Sequence, residues 1–395
     1  MKGKILGLIL AFSLLLATIL YHAVTNLYTG NPKSISEAWS LSGSIEVYVN
    51  GRLERSVEMH SFVEAWKYFM MFFFAPTKDM APVSNIPIYE YYPSAYPGTG
   101  DRAPRSDTTF APCWYNVVSS VYGDSPSDTP GAEQWSVVVL ATWVPDIWSP
   151  YYDYIAEMTV TPDKILLSED DTAYYISFSV SFTATQDKTV QEIWLVRPFG
   201  QQVAGVTPNP PATMPFRITQ DYFNPPLTLK AGDVATFKYT FVLKPKTFFT
   251  KNFHLAFASF LLNIRLFNAT LVTTTGSTTV MSPSATSSSN PPYNAPVDSF
   301  IVLGDGSGTP NGRSVLHEVA RGEPSVTATE SGVSATYTFV FTADTTIREV
   351  ALYWKMRDNT EVMVVYYQLP QPLTVKAGDK FQISVALQYP GKTGY

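Results

Sequence analysis

The sequence predicts a mainly β protein with two tandem β-sandwich-like domains after an N-terminal hydrophobic helix. One observation is a strand, a tight Ala-Gly-Asp turn and a longer strand that occur twice, at 226–241 and at 372–387. After each turn, apolar and polar side chains partly alternate, which is typical of a strand with one buried face. The other observations are a second repeated block and an apolar N-terminus, described below.

A second repeated block precedes each turn. Residues 182–195 and 341–352 align through Phe-Thr-Ala, Thr-(Val/Ile)-x-Glu and a closing Leu, if the first copy carries a two-residue insertion. An apolar segment opens each half, at 61–74 and at 253–267. The whole order of segments therefore occurs twice. The period is too long for a solenoid, so the pattern predicts a duplicated module.

Several residues lie at matched places in the two copies, which predicts that each pair has one structural role. The matched positions are Glu192 and Glu349, Gly232 and Gly378, and Asp233 and Asp379. The glycines lie where a chain reversal requires a residue free to adopt positive φ. The glutamates are expected to hold turn amides or to pair with the opposite charge of Arg197 or Lys355. Because they lie in separate copies, they do not form the closely spaced carboxylate pair of a glycosidase.

Composition favours an extracellular surface or a packed assembly. Hydrophobic residues make up 45% of the 395-residue chain, and charged residues only 15%, against about 25% in an average soluble domain. The surface must therefore consist largely of Ser, Thr, Tyr, Asn and Gln. The formal net charge of −6 and the lack of a long basic run predict no nucleic-acid partner.

Residues 1–29 have the form of an export signal. Lys2 and Lys4 precede an apolar run from Ile5 to Leu20, and no clear small-x-small cleavage site follows. Two interpretations stay open, an uncleaved signal-anchor helix in the membrane and a cleaved signal peptide. Either one predicts a membrane-anchored or secreted protein whose bulk is extracellular. Residues 30–42 are polar and are interpreted as a stem.

The two β domains are expected at 43–247 and 248–395. The first begins with a hairpin at Asn50-Gly51 and contains a Pro- and Tyr-rich insertion at 76–131. This insertion is interpreted either as a binding surface or as a loop packed on its own domain. The second domain contains a Ser/Thr/Pro-rich loop or linker at 270–296. The sequon at Asn268 is a possible glycosylation site if the chain is exported.

No catalytic, cofactor or metal motif stands out. The single cysteine, Cys113, excludes an intrachain disulfide and is interpreted as a small buried hydrophobe. The glycine-rich stretch 304–314 resembles a phosphate loop, but Arg313 stands in the place of its lysine, so a turn is the preferred interpretation. The sequence therefore predicts no enzyme activity, no cofactor and no metal ligand.

The second copy resembles the small β modules of virion and tail-fibre-type proteins of prokaryotic viruses. The similarity is carried by Gly-Asp-Gly-Ser-Gly-Thr-Pro at 304–310, Thr-Ile-Arg-Glu-Val-Ala-Leu-Tyr at 346–353 and Leu-Thr-Val-Lys-Ala-Gly-Asp at 373–379. It covers roughly 298–389, with a weaker match at 171–243, and Ala351 stands where glycine is usual. The resemblance implies a scaffold without transferable functional residues. The apolar leader fits a membrane-associated virion or cell-surface protein, for instance of an archaeal virus or its host.

The function expected from these observations is that of a non-enzymatic, exported structural or adhesion protein of a virion surface or cell envelope. Its partners would be the membrane, other copies or envelope proteins, and a glycan or host surface. One alternative is a subunit of an archaeal extracellular filament assembled by strand exchange. Another is a carbohydrate-binding protein that uses the aromatic residues of 76–154.

Overall fold

The computed structural model describes residues 35–59, 62, 66–77, 137–144, 151–200, 213–262, 269–281, 294, 296–306 and 311–390. These residues form eighteen strands, two α-helices and one 3-10 turn, at Pro162–Lys164, so the prediction of a mainly β protein is confirmed. The expected helix at 1–29, residues 78–131 of the insertion, Cys113 and Asn268 lie outside the described residues. No helix of the described part has the length and apolar character needed to cross a bilayer.

The strands form one large sheet, two smaller sheets and a hairpin. The eight-stranded sheet has the order β14 (Ser325–Thr329), β15 (Gly332–Val340), β18 (Lys380–Gln388), β1 (Ile35–Val49), β9 (Val234–Lys244), β6 (Tyr174–Thr183) and β5 (Ile165–Glu169), with β2 (Arg52–Glu58) paired to β1. One four-stranded sheet has the order β4 (Tyr151–Thr159), β3 (Val137–Val144), β7 (Lys188–Gly200) and β8 (Thr213–Leu229). The other has the order β13 (Glu318–Gly322), β12 (Pro296–Gly304), β16 (Thr345–Met356) and β17 (Glu361–Val375). The hairpin pairs β10 (Ala269–Val272) with β11 (Thr278–Met281).

The strand order of the first module, β3–β9, recurs in the second module, β12–β18. The order β4-β3-β7-β8 matches β13-β12-β16-β17, and β5-β6-β9 matches β14-β15-β18. Three register irregularities also recur at the same places. In the first module they follow Leu140 in β3 and Val190 and Leu195 in β7. In the second module they follow Leu303 in β12 and Ile347 and Leu352 in β16. A β-bulge bends and twists its strand, so the two modules share their local distortions as well as their topology.

The structure corrects the alignment of the repeated blocks by two residues. Phe182 faces Ala235 in the β6–β9 ladder, and Phe339 faces Phe381 at the equivalent place in the β15–β18 ladder. Phe182 therefore corresponds to Phe339, and no two-residue insertion separates the copies. The predicted match of the two Phe-Thr-Ala triplets is wrong, because the second triplet begins in the turn that follows its strand.

Strand β1 is shared by the two modules. Its residues Ser40–Val49 pair antiparallel with β9, and residues Ile35–Ser40 pair parallel with β18. The predicted Asn50-Gly51 hairpin is present, with φ of 52° and 79°, and leads into β2. Residues 35–42, expected to form part of a stem, are strand, because their main chain pairs along the β9 and β18 edges. One sheet consequently runs through both expected domains.

Two helices pack on the second module, and the second helix also contacts the first module. Helix α1 (Trp66–Phe74) precedes the first module but lies against β14 and β15 of the second. The Trp354 indole N–H donates to the Phe74 carbonyl at 3.0 Å, which satisfies one of the free carbonyls at the helix end. Helix α2 (Lys251–Leu262) also packs on the second module at β17. On its other side, the Nε2 atom of His254 lies 3.0 Å from the Tyr175 carbonyl of β6.

The described residues of the two apolar segments, at 61–74 and at 253–267, lie in the core. Trp66 and Phe73 of α1 are buried, as are most side chains of α2. The Phe73 and Phe260 rings stack at a centroid distance of 4.4 Å, which joins the two helices. One hydrophobic cluster includes β1, both helices and strands of both modules. Burial of this continuous apolar surface is the main source of stability.

Two smaller apolar clusters lie on the other faces of the four-stranded sheets. Side chains alternate along a strand, so Ile193 and Leu195 of β7 join the main cluster, while Trp194 and Val196 form a separate one with Val139 and Ala141. The equivalent face of the second module carries Val302, Val315, Ala351, Tyr353 and Met363. These outer faces are where the matched glutamates lie.

Candidate functional site

Glu192 and Glu349 occupy the same ladder position in their modules. Glu192 faces Ala141 and Tyr222, whereas Glu349 faces Gly304 and Gln368. Glu192 is only 3% exposed and Glu349 is fully buried. Burial of a carboxylate is costly unless its oxygens accept hydrogen bonds, so the donors around each glutamate define what it does.

Glu349 holds the loop that connects β12 to β13. Its Oε2 atom accepts the Leu316 amide at 2.9 Å, and its Oε1 atom accepts the Tyr366 hydroxyl at 2.7 Å. Gly304 and Gly306 pass so close to the carboxylate that a Cβ atom on either would collide with Glu349 Oε2 or with the loop side chains. Glu349 therefore binds a loop amide, one of the two roles expected for it, and the glycines permit this close approach.

Two tyrosines complete the polar part of this arrangement. The Tyr353 hydroxyl accepts the Val315 amide at 2.7 Å, next to the amide held by Glu349. Burial raises the pKa of Tyr353, and burial together with the bond to Glu349 raises the pKa of Tyr366. Both phenols therefore stay protonated at physiological pH. The loop is fixed by a carboxylate and a phenol that accept two successive backbone amides.

Among the described residues, Glu192 accepts hydrogen bonds from two side chains of its own sheet. Its Oε2 atom accepts the Trp194 indole N–H at 2.8 Å and the Gln220 amide at 2.7 Å. Gln220 precedes the ladder partner of Glu192 by two residues, just as Tyr366 precedes that of Glu349. Gln220 also donates to the Tyr222 hydroxyl at 2.7 Å. The carboxylate position is the same in both modules, but its donors differ.

The matched glycines form the predicted turns. Gly232 has φ of 91° and Gly378 has φ of 87°, a conformation that glycine adopts without steric cost. The Gly232 amide donates to the Ala184 carbonyl at 2.7 Å, and the Gly378 amide donates to the Phe341 carbonyl at 2.8 Å. Each turn is thereby tied to the end of the neighbouring strand, β6 or β15.

The matched aspartates close these turns. Asp233 Oδ2 accepts the Lys230 amide at 2.7 Å, and Asp379 Oδ2 accepts the Lys376 amide at 3.1 Å. In the first module, the Asn50 side chain also donates to Asp233, at 2.8 Å. This additional bond links the β1–β2 hairpin to the turn, so the shared strand is anchored at its C-terminal end.

A second aspartate contacts each turn from the neighbouring loop, between β6 and β7 or between β15 and β16, and was missed by sequence reasoning. Asp187 Oδ2 lies 2.8 Å from Lys230 Nζ, and Asp344 Oδ2 lies 2.6 Å from Lys376 Nζ. Their Oδ1 atoms accept the Ala231 and Ala377 amides, both at 3.0 Å. The hydrogen bond from lysine lowers the pKa of each aspartate. Each aspartate lies five residues before the matched glutamate, so the alignment of the two glutamates was the signal that could have found this pair.

The chemistry of these groups is that of a scaffold. Each matched side chain binds a backbone amide or a neighbouring side chain within its module. Across the described ranges, no group of three or more His, Cys, Asp or Glu residues is arranged to hold a metal ion. The closest exposed contact that involves a histidine is His317 Nδ1 to Asp305 Oδ1, at 2.6 Å.

Comparisons of this chain with protein-family models, with curated proteins and with solved structures found no significant match. The functional argument therefore rests on the geometry described above.

Proposed function

We propose that this chain is a non-enzymatic, exported structural or adhesion protein of a virion surface or cell envelope. The observation that carries the proposal is the pair of equivalent modules built around one shared strand. Their matched polar groups bind backbone amides and neighbouring side chains. Such an arrangement provides a rigid body with a large exposed surface, which is what a surface component needs.

The proposed architecture has two sandwich-like modules that share one sheet. Its support is the main hydrophobic cluster, which contains residues of the eight-stranded sheet, such as Phe178 and Ile383, and of the four-stranded sheets, such as Ile193 and Leu352. The apolar segment at 1–29 would export this body and anchor it in a membrane. The resemblance of residues 298–389 to virion-type β modules favours a viral surface, for instance that of an archaeal virus.

The deciding experiment is quantitative mass spectrometry of the chain in purified virions and in host envelopes, with the N-terminal peptide identified in the same samples. We expect the chain to be enriched in one of these fractions and its body to be digested by protease added to intact particles or cells. A protein that stays protected inside the cytoplasm would contradict the proposal.

A filament subunit that exchanges a strand is the second candidate, because β1 already fills the space between β9 and β18. Negative-stain images of the purified chain distinguish the two: fibres support the filament, and discrete particles support the surface component. Carbohydrate binding depends on the insertion at 76–131, most of which lies outside the described residues. Glycan-array binding that is lost when residues 78–131 are deleted would support it.

A further inference from the structure

The strands at the ends of the sheets differ in how they are protected from pairing with another chain. An edge strand presents unpaired N–H and C=O groups, and proteins usually protect it with charges, prolines or bulges. Five edge strands of the eight-stranded sheet and the two four-stranded sheets carry such protection. Edge residues of this kind are Arg52, Glu54, Arg55 and Glu58 in β2, Glu157 in β4, Pro225 and Pro226 in β8, Glu318 and Arg321 in β13, and Pro370 and Pro372 in β17.

The two ends of the eight-stranded sheet are the equivalent strands β5 and β14, and only one of them carries a charge. β5 ends at Glu169, which lies 3.5 Å from Lys246 Nζ. β14 reads Ser-Val-Thr-Ala-Thr, so it has no charge, proline or glycine of its own and is bounded by Pro324 and Glu330. The hairpin strands β10 and β11 are also uncharged, but each has four residues, and side-chain bonds from Asn252 and Asp358 hold them.

One face of β14 is partly buried, and the other face is exposed. Val326 and Ala328 pack against the main hydrophobic cluster, while Ser325, Thr327 and Thr329 are exposed. Within the described residues, β14 pairs with β15 and with no other strand. Helix α1 lies against β14 and β15, so the edge is held in strand geometry before any partner binds. Such preorganisation lowers the entropic cost of strand addition.

We propose that β14 pairs antiparallel with β14 of a second copy, which joins two eight-stranded sheets into one. An uncharged strand is compatible with itself, because no like charges face each other across a two-fold axis. For a five-residue strand, a centred axis passes at the middle residue, Thr327, so Thr327 faces its counterpart. Because the opposite end of the sheet carries Glu169, the association closes at a dimer and does not continue into a fibre.

This dimer extends the structural role proposed above and rests on it for its biological context. The two are tested separately, since the dimer is measured on the purified chain and the surface role on virions and envelopes. A failure of one leaves the result of the other unchanged.

The test uses the full chain in mild detergent and measures mass by sedimentation equilibrium. We expect a dimer for the wild type. Thr327→Lys and Thr327→Glu each place like charges opposite each other, so the dissociation constant should rise by up to about fivefold, and an equimolar mixture of the two variants should restore the dimer. Leu166→Lys, which changes an exposed residue of the opposite edge strand β5, is the matched control and should remain dimeric.

Two results overturn the proposal: a wild-type chain that is monomeric at micromolar concentration, or a Thr327→Lys variant as dimeric as the wild type. A cross-linking measurement distinguishes β14 pairing from association through the apolar leader. In a Cys113→Ser background, Thr327→Cys should form an intermolecular disulfide under mild oxidation. Ser334→Cys, on the neighbouring strand β15 and opposite Thr327, should not. Equal cross-linking of both variants would also overturn the proposal.

Discussion

Glu192 and Glu349 lie at the same ladder position in two equivalent modules, yet they take their hydrogen bonds from different donors. Glu349 binds a backbone amide of a loop and a tyrosine hydroxyl. Glu192 binds an indole and a side-chain amide of its own sheet. Where Glu192 has Trp194 two residues later, Glu349 has Ala351, which leaves room for Val315 of the loop in the same apolar cluster.

The difference shows which features of a duplicated module are fixed and which vary. Strand order, register and all three recurring irregularities are the same, because main-chain pairing and the two-residue alternation of side chains determine them together. The donor that satisfies a buried carboxylate varies, because any group that supplies N–H or O–H removes the cost of burial. Comparison of the modules therefore separates the scaffold from its local adaptations.

The largest expected effect comes from the strand that the modules share. Ile45 of β1 is fully buried in the main cluster, so Ile45→Asp places a charge in apolar surroundings and should cost more than about 4 kcal/mol of unfolding free energy. Both modules should lose protection together, measured by hydrogen exchange of β7 and β16. Leu53→Asp, at a residue 50% exposed on β2, is the control. Loss of protection in one module alone would show that the modules fold independently.

A smaller effect is expected at the matched glutamates, and it should be unequal. Glu349→Ala leaves the Leu316 amide and the partly buried Tyr366 hydroxyl without this acceptor, which should cost about 3 kcal/mol. Glu192→Ala removes an acceptor of the buried Trp194 indole N–H, but Gln220 keeps its bond to Tyr222, so the cost should be about 1–2 kcal/mol. Urea unfolding of both variants measures the difference. Equal losses would mean that loop attachment contributes nothing beyond the sheet donors.

The turn glycines should behave alike. Gly232→Ala and Gly378→Ala each force a Cβ atom into a positive-φ conformation, although nothing lies within 4 Å of that atom in either turn. Each substitution should therefore cost about 1 kcal/mol through backbone strain alone. Chemical denaturation of the two variants provides the comparison, and Ala231→Ser in the same turn is the control. A clear inequality would contradict the equivalence of the turns.

The smallest effects concern Asp187 and Asp344, the exposed aspartates that contact the turns. The lysine hydrogen bonds lower the pKa of Asp187 and of Asp344 below the usual value. An aspartate with a lowered pKa stabilises the fold at pH values above the ordinary aspartate range. This stabilisation is lost as the pH falls through the folded-state pKa. Asp187→Asn and Asp344→Asn should each flatten the acid limb of a stability-against-pH curve to the same small extent. Unchanged acid limbs would show that the lysine contacts are broken in solution.

The elements that follow from local patterns were predictable from the sequence. Asn50-Gly51, Gly232 and Gly378 specify turns through backbone geometry, and alternating residues in β9 and β18 specify strands with one buried face. The equivalent turn role of the matched glycines and aspartates followed from their repetition, whereas the different donors of the matched glutamates did not. Asp187 and Asp344 also lie at matched places, five residues before the glutamates, but an aspartate in a polar loop carries no local signal for the turn that it contacts.

Long-range partners were not predictable. Nothing in Ile35–Val49 indicates that one strand pairs with β9 in one direction and with β18 in the other, because both pairings use main-chain groups that every residue has. Likewise, the apolar residues of α1 indicate burial but not which module they contact. The Trp354 bond to Phe74 spans 280 residues, a separation on which local periodicity carries no information.

The single copy of β1 has a consequence for how this gene can evolve. Deleting either repeat would leave one side of that strand without its ladder and expose apolar side chains that now lie in one common interior. A return to a one-repeat ancestor would therefore require a second, compensating change at the same time. Each half therefore depends on the other, which constrains the repeat number while leaving loops and carboxylate donors free to differ.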